Sequence, residues 1–248
     1  MRIEQWVILP DLHIPFQNKK LLLKIYKLIH QIKPYGIILS GDYLDMFSLS
    51  VFSENSLKLL KEINLSYEYS QGNLELKKIE DVLPKGIKKH YLYGNHEDRY
   101  LRWLERGDHA KLDEVLRSPE EAMELHKKGW KVYTKWRDDA VFLGNHLEVI
   151  HGCYTPDNAS KKHLSEFNGS VIFGHTHRFG SYVDGKRSAY NIGFLGDKNS
   201  EGFNYMNRAK RQKQVNGFAV VSIDTNGEYW VNAIQCWNDK FIYNHKLF

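Results

Sequence analysis

Asp11-Leu12-His13, Gly41-Asp42-Tyr43-Leu44-Asp45, Gly94-Asn95-His96-Glu97, His151-Gly152 and Gly174-His175-Thr176-His177 are five short polar motifs, each placed where a stretch with strand character ends. Their side chains offer carboxylate oxygens, imidazole nitrogens and one amide oxygen. Such a mixed set suits divalent transition metals, manganese first and iron, zinc, cobalt or nickel as alternatives. One histidine cluster would say little, whereas five clusters in register with strand ends specify a two-metal site. A phosphate ester cleaved at neutral pH needs a nucleophile, charge neutralisation and a proton for the leaving oxygen. Two cations about 3.5–4 Å apart supply the first two, by acidifying a shared water and clamping the phosphoryl oxygens. Asp42 is the candidate for a carboxylate shared between them. Neutral Asn95 would ligate while leaving the ions their Lewis acidity.

Histidines elsewhere have a plainer reading. A buried histidine is more often a hydrogen-bonded core or loop residue than a ligand, and His30, His90, His109, His126, His146 and His245 are read that way. His163 stays open, because it follows Lys161-Lys162 on an expected helix after the site. For His13, His151, His175 and His177 the plain reading would require the whole spaced pattern to arise by accident. Cys153, two residues after a candidate ligand, could be oxidation-sensitive, although a small buried hydrophobe is the plainer reading. Trp103, Trp130, Trp136 and Tyr154 could stack on bases, although aromatics more commonly pack cores; Trp103 and Tyr154 are the two worth testing.

The elements that position these motifs follow from hydrophobic patterning. Trp6-Val7-Ile8-Leu9 and Gly36-Ile37-Ile38-Leu39-Ser40 are continuous apolar runs, as in strands covered on both faces. Between them Asn18 can cap a helix whose Leu21, Leu22, Ile25, Leu28, Ile29 and Ile32 recur at helical spacing, and Pro34 stops it. Strand, helix, strand implies a parallel crossover, with ligands hanging from the carboxyl ends of the strands. A helical stretch over 57–82 and a strand over 90–93 continue the pattern. Residues 97–130 read as a helical insertion beside the site, with Leu101, Leu104, Leu112, Val115, Leu116, Met123 and Leu125 as apolar positions and Pro119 as a break. From Trp130 the character turns to β: 141–143, 147–150 and 171–173 are strand-like. Gly144-Asn145, Asp184-Gly185 and Asn226-Gly227 signal hairpins, and 218–223 with 229–234 form a closing hairpin.

At 248 residues the chain fits one large α/β domain over 1–248. Hydrophobic residues make up 42% and charged residues 26%, which excludes a disordered chain. No apolar run is long enough to span a bilayer. A cleavable leader is not expected, because removing it would take Asp11 and His13 as well. Two cysteines, Cys153 and Cys236, fit a reducing cytoplasm rather than a disulfide framework. The net charge of +5 is mild, but Arg208-Ala209-Lys210-Arg211-Gln212-Lys213 concentrates positive charge where neither strand nor helix character is visible. As a loop it would be either a solvated segment or a substrate contact.

The set DxH, GDxxD, GNHE, HG and GHTH, running from residue 11 to residue 177, resembles the calcineurin-like metallophosphoesterase superfamily. The resemblance implies an α/β fold, a four-layer α-β-β-α sandwich of two mixed sheets flanked by helices. It implies that Asp11, His13, Asp42 and His177 hold one metal, and Asp42, Asn95, His151 and His175 the other. His96 would be the proton donor to the leaving group, Asp45 would polarise it, and Glu97 would orient the loop rather than touch metal. Serine/threonine protein phosphatases of this superfamily carry an arginine where this chain has Met46 followed by Phe47, which argues against that subgroup. Gly94-Asn95-His96-Glu97-Asp98-Arg99 with a helical insert and a late basic loop is closer to small bacterial and phage-type phosphoesterases. Arg99, Arg102, Arg178 and the run from Arg208 to Lys213, with Arg208 and Arg211 foremost, are then the replacement phosphate contacts. The expected activity is hydrolysis of phosphate mono- or diesters, on nucleotides or nucleic-acid ends. The alternatives are a small-molecule or protein phosphatase, or a non-catalytic binding protein on the same fold.

Overall fold

Alternation along the first strand sends its side chains into two different cores, and this divides the molecule into layers. The computed structural model describes residues 3–50, 57–106, 109 and 116–248. Its first half contains β1 (Glu4–Leu9), α1 (Lys19–Ile32), β2 (Gly36–Ser40), α2 (Leu57–Glu62), α3 (Leu65–Val82), β3 (Lys88–Leu92), α4 (Asp98–Leu104), α5 (Pro119–Ala122) and β4 (Trp130–Tyr133). There follow β5 (Val141–Leu143), β6 (Leu147–Val149), α6 (Ala159–Glu166), β7 (Ser170–Phe173), β8 (Phe179–Asp184) and β9 (Arg187–Ile192). The chain ends with α7 (Arg208–Gln212), β10 (Gly217–Ile223), β11 (Tyr229–Gln235), β12 (Ile242–Tyr243) and β13 (Lys246–Leu247).

Six strands form one mixed sheet in the order β11-β10-β1-β2-β3-β4, with β1 to β4 parallel and β10 antiparallel to β1. Five form a second mixed sheet, β5-β6-β7-β9-β8, parallel at its centre and antiparallel at both edges. Val7, Leu9, Ile37 and Leu39 pack with Leu21 and Ile25 of α1 and with Leu76 and Ile79 of α3. Trp6, Ile8 and Ile38 point the other way and meet Leu147, Val149, Ile172 and Ile192 between the sheets. Beyond the second sheet, Val171 and Phe173 pack on Ala159 and Leu164 of α6. Helix, sheet, sheet, helix is the expected four-layer sandwich.

Packing rather than propensity holds α1. Its buried Leu21, Leu22, Ile25, Leu28 and Ile29 contribute at most about 1.5–3 kcal/mol each, far more than an isolated helix of this length can muster. Asn18 caps it by accepting from the Leu21 N–H, as the sequence predicts. The helical stretch over 57–82 is two helices instead of one, because the Asn64 side chain accepts from the Tyr67 N–H and starts α3 anew. The basic run over 208–213 also differs from expectation. It carries α7, nucleated by the Asn207 side chain accepting from the Lys210 N–H, so it is a capped helical turn and not a loop. Of the helical insertion over 97–130, α4 and α5 form as helices. Leu112 and Val115 lie outside the described residues.

Candidate metal centre

All five motifs leave the carboxyl ends of strands and converge on one edge of the sandwich. Asp11 and His13 follow β1, Asp42 and Asp45 follow β2, Asn95 and His96 follow β3, His151 follows β6, and His175 and His177 follow β7. The backbone is unusual there. Asp11, His13, Asp42, His175 and His177 all have positive φ, between 46° and 61°. Non-glycine residues in that region cost on the order of 1–3 kcal/mol each and persist where surrounding structure over-determines them. Here the over-determination is visible: a β-carbon on Gly94 would overlap the Asp42 carboxylate, and one on Gly174 would overlap that of Asp11.

Among the described residues three groups of ligating atoms result, one of them His13, Asp45 and His96, and the other two carry the expected metal ligands. Donor atoms of Asp11, His13, Asp42 and His177 lie within 4.8 Å of one another, and so do those of Asp42, His151 and His175. Asp42 belongs to both. His13 and His177 meet nitrogen to nitrogen, Nε2 to Nε2, at 2.9 Å. The His13 Nδ1–H donates to Asp45 Oδ2 at 2.9 Å, so its Nε2 presents a lone pair to that meeting point. In the second cluster His151 Nε2 lies 3.1 Å from Asn95 Oδ1, 3.2 Å from His175 Nδ1 and 3.4 Å from Asp42 Oδ2. His151 Nδ1–H donates to the Ser40 carbonyl at 3.1 Å, an outer contact that makes Nε2 the nitrogen facing Asp42 and Asn95.

The electrostatics fit a cation. Burial lowers His13 to about 4, and His175 and His177 to about 3, with neighbouring imidazoles adding to the effect. Those rings are neutral at physiological pH, the form that ligates. Burial raises the Asp11 carboxyl to about 7. Burial also opposes charge on His151 and Asp42, but each outweighs that penalty for the other: His151 rises to about 9 and Asp42 falls well below the carboxylate range. Without a metal, the charge beside Asp42 Oδ2 is therefore the protonated His151 ring, and a bound cation would take the place of that proton. Lone pairs converging on buried carboxylates are the arrangement a divalent ion satisfies.

A profile for calcineurin-like phosphoesterase matches residues 7–179. The chain belongs to this family. No curated protein matches it. Among solved structures it is similar to an archaeal phosphodiesterase, at 15% identity and TM-score 0.44, over 92% of this chain and 98% of that one. It is also similar to zinc-bound Vps29 of Entamoeba histolytica, at 10% identity and TM-score 0.47, over 98% and 96% of the two chains. A third is vacuolar protein sorting 29 of Cryptosporidium parvum, at 12% identity and TM-score 0.46, over 99% and 95%. The calcineurin-like family is dinuclear and metal-dependent, and the Asp/His clusters could bind its metals. Family and site together support metal-dependent phosphoester hydrolysis.

Around this phosphoesterase centre the remaining expected residues fall in several places. His96 Nδ1–H donates to the main-chain carbonyl of Asp45 at 2.7 Å, whereas the Asp45 carboxylate is 3.5 Å from that nitrogen and closer to His13. Asp45 therefore orients His96 through its backbone and His13 through its side chain. A cleft of about 480 Å³ opens over Asp42, Asn95, His96, His175 and His177, with Arg99, Arg178, Lys210 and Lys213 among its cations. Arg99 donates to the Asp45 carbonyl at 2.8 Å and faces His96 Nε2 at 2.9 Å. Arg178 pairs with Asp157 at 2.9 Å. Arg208 and Arg211 do not line this cleft, and Arg211 donates to Asn204 Oδ1 at 3.1 Å. Arg102 and Trp103 line a smaller groove that shares Asn95 and Arg99 with the cleft. Met46 is fully buried and Phe47 packs in an aromatic cluster with Phe16, Phe194 and Phe203, so neither reaches the phosphate side. His163 resolves as structural, stacked on Phe173 and held between Ala159 and Cys153.

Among the described residues, Trp136, Tyr205 and Gln214 are neighbours of the centre that carry no motif. Trp136 sets its ring 5.9 Å from that of His175 and 6.1 Å from that of His151. Tyr205 lines the cleft, and Gln214 touches His177. A lone tryptophan in a polar loop is the single visible signal; the other two are separated from the motifs by strands and have none.

Proposed function

We propose that the chain hydrolyses phosphate mono- or diesters with two divalent cations, one held by Asp11, His13, Asp42 and His177, the other by Asp42, Asn95, His151 and His175. The observation that carries this reading is the membership of Asp42 in both clusters. When bound, the cations would supply Lewis acidity that activates water and neutralises phosphoryl charge, with manganese the first metal to test. His96 is the proton donor. Its Nδ1–H is tied to Asp45, and its Nε2 lines the cleft 2.9 Å from Arg99 Nη2, a contact that must give way for Nε2 to carry a proton to a leaving oxygen. Burial and Arg99 oppose a proton on that ring, and the Asp42 and Asp45 carboxylates outweigh them, raising His96 above its ordinary value. Two unpaired cysteines support a cytoplasmic setting, and among the described residues no helix is long and apolar enough to cross a membrane.

His96→Ala tests the assignment. Metal content should be unchanged while aryl-phosphate hydrolysis with manganese slows about 10²–10⁴-fold. The defect should shrink for esters with good leaving groups, which need less protonation. Equal slowing across leaving groups would mean that His96 only shapes the loop, and hydrolysis that survives complete removal of divalent metals by chelation would remove the metal reading altogether.

Nucleotides or nucleic-acid ends are the proposed substrates. Arg99, Arg178, Lys210 and Lys213 support this, because they place cations from three separate segments around one cleft. Replacing Lys210 and Lys213 by glutamine should weaken oligonucleotide processing and flatten its salt dependence. Two lost phosphate contacts make the log–log slope shallower by about 1.4, at roughly 0.7 per contact for single strands. A small aryl phosphate should be hydrolysed nearly as before. Unchanged salt slopes would argue for a substrate with a single phosphate.

A further inference from the structure

Gln214 reaches the metal centre from outside every motif. It is 4% exposed, its Nε2 lies 2.9 Å from His177 Nδ1, and its Oε1 is buried with no hydrogen-bond partner. The same segment also grips His177 by its main chain, since the Val215 N–H donates to the His177 carbonyl at 2.8 Å. The His177 ring itself is clamped against Phe194, with centroids 4.6 Å apart and planes 8° from parallel.

A neutral imidazole has one N–H and one lone pair. For His177 Nε2 to offer its lone pair toward Asp11, His13 and Asp42, the proton must sit on Nδ1, and a buried Nδ1–H needs an acceptor. An amide nitrogen cannot be that acceptor. A half-turn of the Gln214 amide exchanges its oxygen and nitrogen, places Oε1 on Nδ1–H and gives the unpartnered oxygen its bond, at the expense of the weak 3.3 Å contact of Nε2 with Met206 Sδ. We infer that Gln214 is a positioning residue whose amide oxygen accepts the His177 Nδ1–H and so holds Nε2 in its ligating form. Gln214 directly follows the turn that carries Lys210 and Lys213, so one segment supplies both a cationic wall of the cleft and a contact to His177. The inference rests on His177 being a ligand under the function proposed above.

Calorimetric titration with manganese tests it on the wild type, His177→Ala, Gln214→Leu and Gln214→Glu. His177→Ala identifies the binding step concerned. Gln214→Leu should weaken that step about 10–100-fold, the usual effect of losing an outer partner of a metal ligand. Gln214→Glu, a pure acceptor of nearly the same shape, should keep it within about threefold. A packing role predicts the opposite order, with leucine harmless and a buried carboxylate harmful. Long-range ¹H–¹⁵N spectra of the zinc-loaded protein should show His177 protonated at Nδ1 in the wild type and in Gln214→Glu. The inference is overturned by wild-type affinity in Gln214→Leu, by a larger loss in Gln214→Glu, or by a proton on Nε2. If His177→Ala leaves manganese binding unaltered, the ligand assignment has failed instead.

Discussion

Asp42→Asn should lower turnover by on the order of 10³-fold or more, about 4 kcal/mol of barrier, and should remove most of the rise in melting temperature that manganese gives the wild type. The side chain is 1% exposed and its two oxygens are already committed. Oδ1 accepts the His96 N–H at 2.8 Å. Oδ2 lies 3.4 Å from His151 Nε2, 3.7 Å from His96 Nε2 and 3.9 Å from His13 Nε2, so it sits between the clusters. Asparagine keeps the shape and loses the charge that both sites share. If its amide nitrogen faces the imidazoles, it also puts two donors where cations should bind. Asp11→Asn changes a carboxylate that belongs to one cluster only, and its effect should be smaller. Metal analysis and an aryl-phosphate assay on both variants decide the matter. Two metals per chain and near-wild-type turnover in Asp42→Asn would sink the shared-carboxylate reading.

The ligands are legible in the sequence because their chemistry is costly to place by chance. A buried Asp or His needs a partner, and such groups recurring at the ends of five strands find partners in one another and in the cations that they could share. Caps and turns are equally readable, as at Asn18 and Asn226-Gly227, since each is a local hydrogen-bonding or backbone requirement. What cannot be read depends on contacts between distant segments. Gln214 meets His177 across 37 positions of chain, and nothing near Gln214 marks it as polar and buried. The basic run shows its charge but not its direction. Only after Asn207 caps α7 does helical geometry turn Lys210 and Lys213 into the cleft while Arg208 and Arg211 stay off its lining. Likewise Glu68, on α3, is fully buried and accepts from the Phe47 and Ser48 N–H groups beyond the second motif, a bond that no pattern in either segment announces.

Glu97→Ala should cost about 3–5 kcal/mol of stability, among the largest effects expected of a single substitution here. Glu97 is adjacent to the proposed proton donor yet turns the opposite way, and it is 0% exposed. Its Oε2 accepts the N–H groups of Asp42 at 3.0 Å and Gly94 at 2.9 Å. Its Oε1 accepts the Leu44 N–H at 2.9 Å and the Tyr91 hydroxyl at 3.0 Å. One carboxylate therefore ties the loop after β2 to the loop after β3, the two segments that deliver Asp42, Asn95 and His96. Alanine leaves three backbone donors and a phenol buried without acceptors, each worth about 1–3 kcal/mol before water enters the gap. For a protein of this size, at roughly 2–4 °C per kcal/mol, the melting temperature should fall by about 6–20 °C. The measurement belongs in chelator, so that lost metal binding does not contribute to the shift. A variant melting within about 2 °C of the wild type under those conditions would show that the loops hold each other without Glu97. Manganese affinity should fall alongside stability, because the same bonds that close the fold set the distance between Asp42 and Asn95.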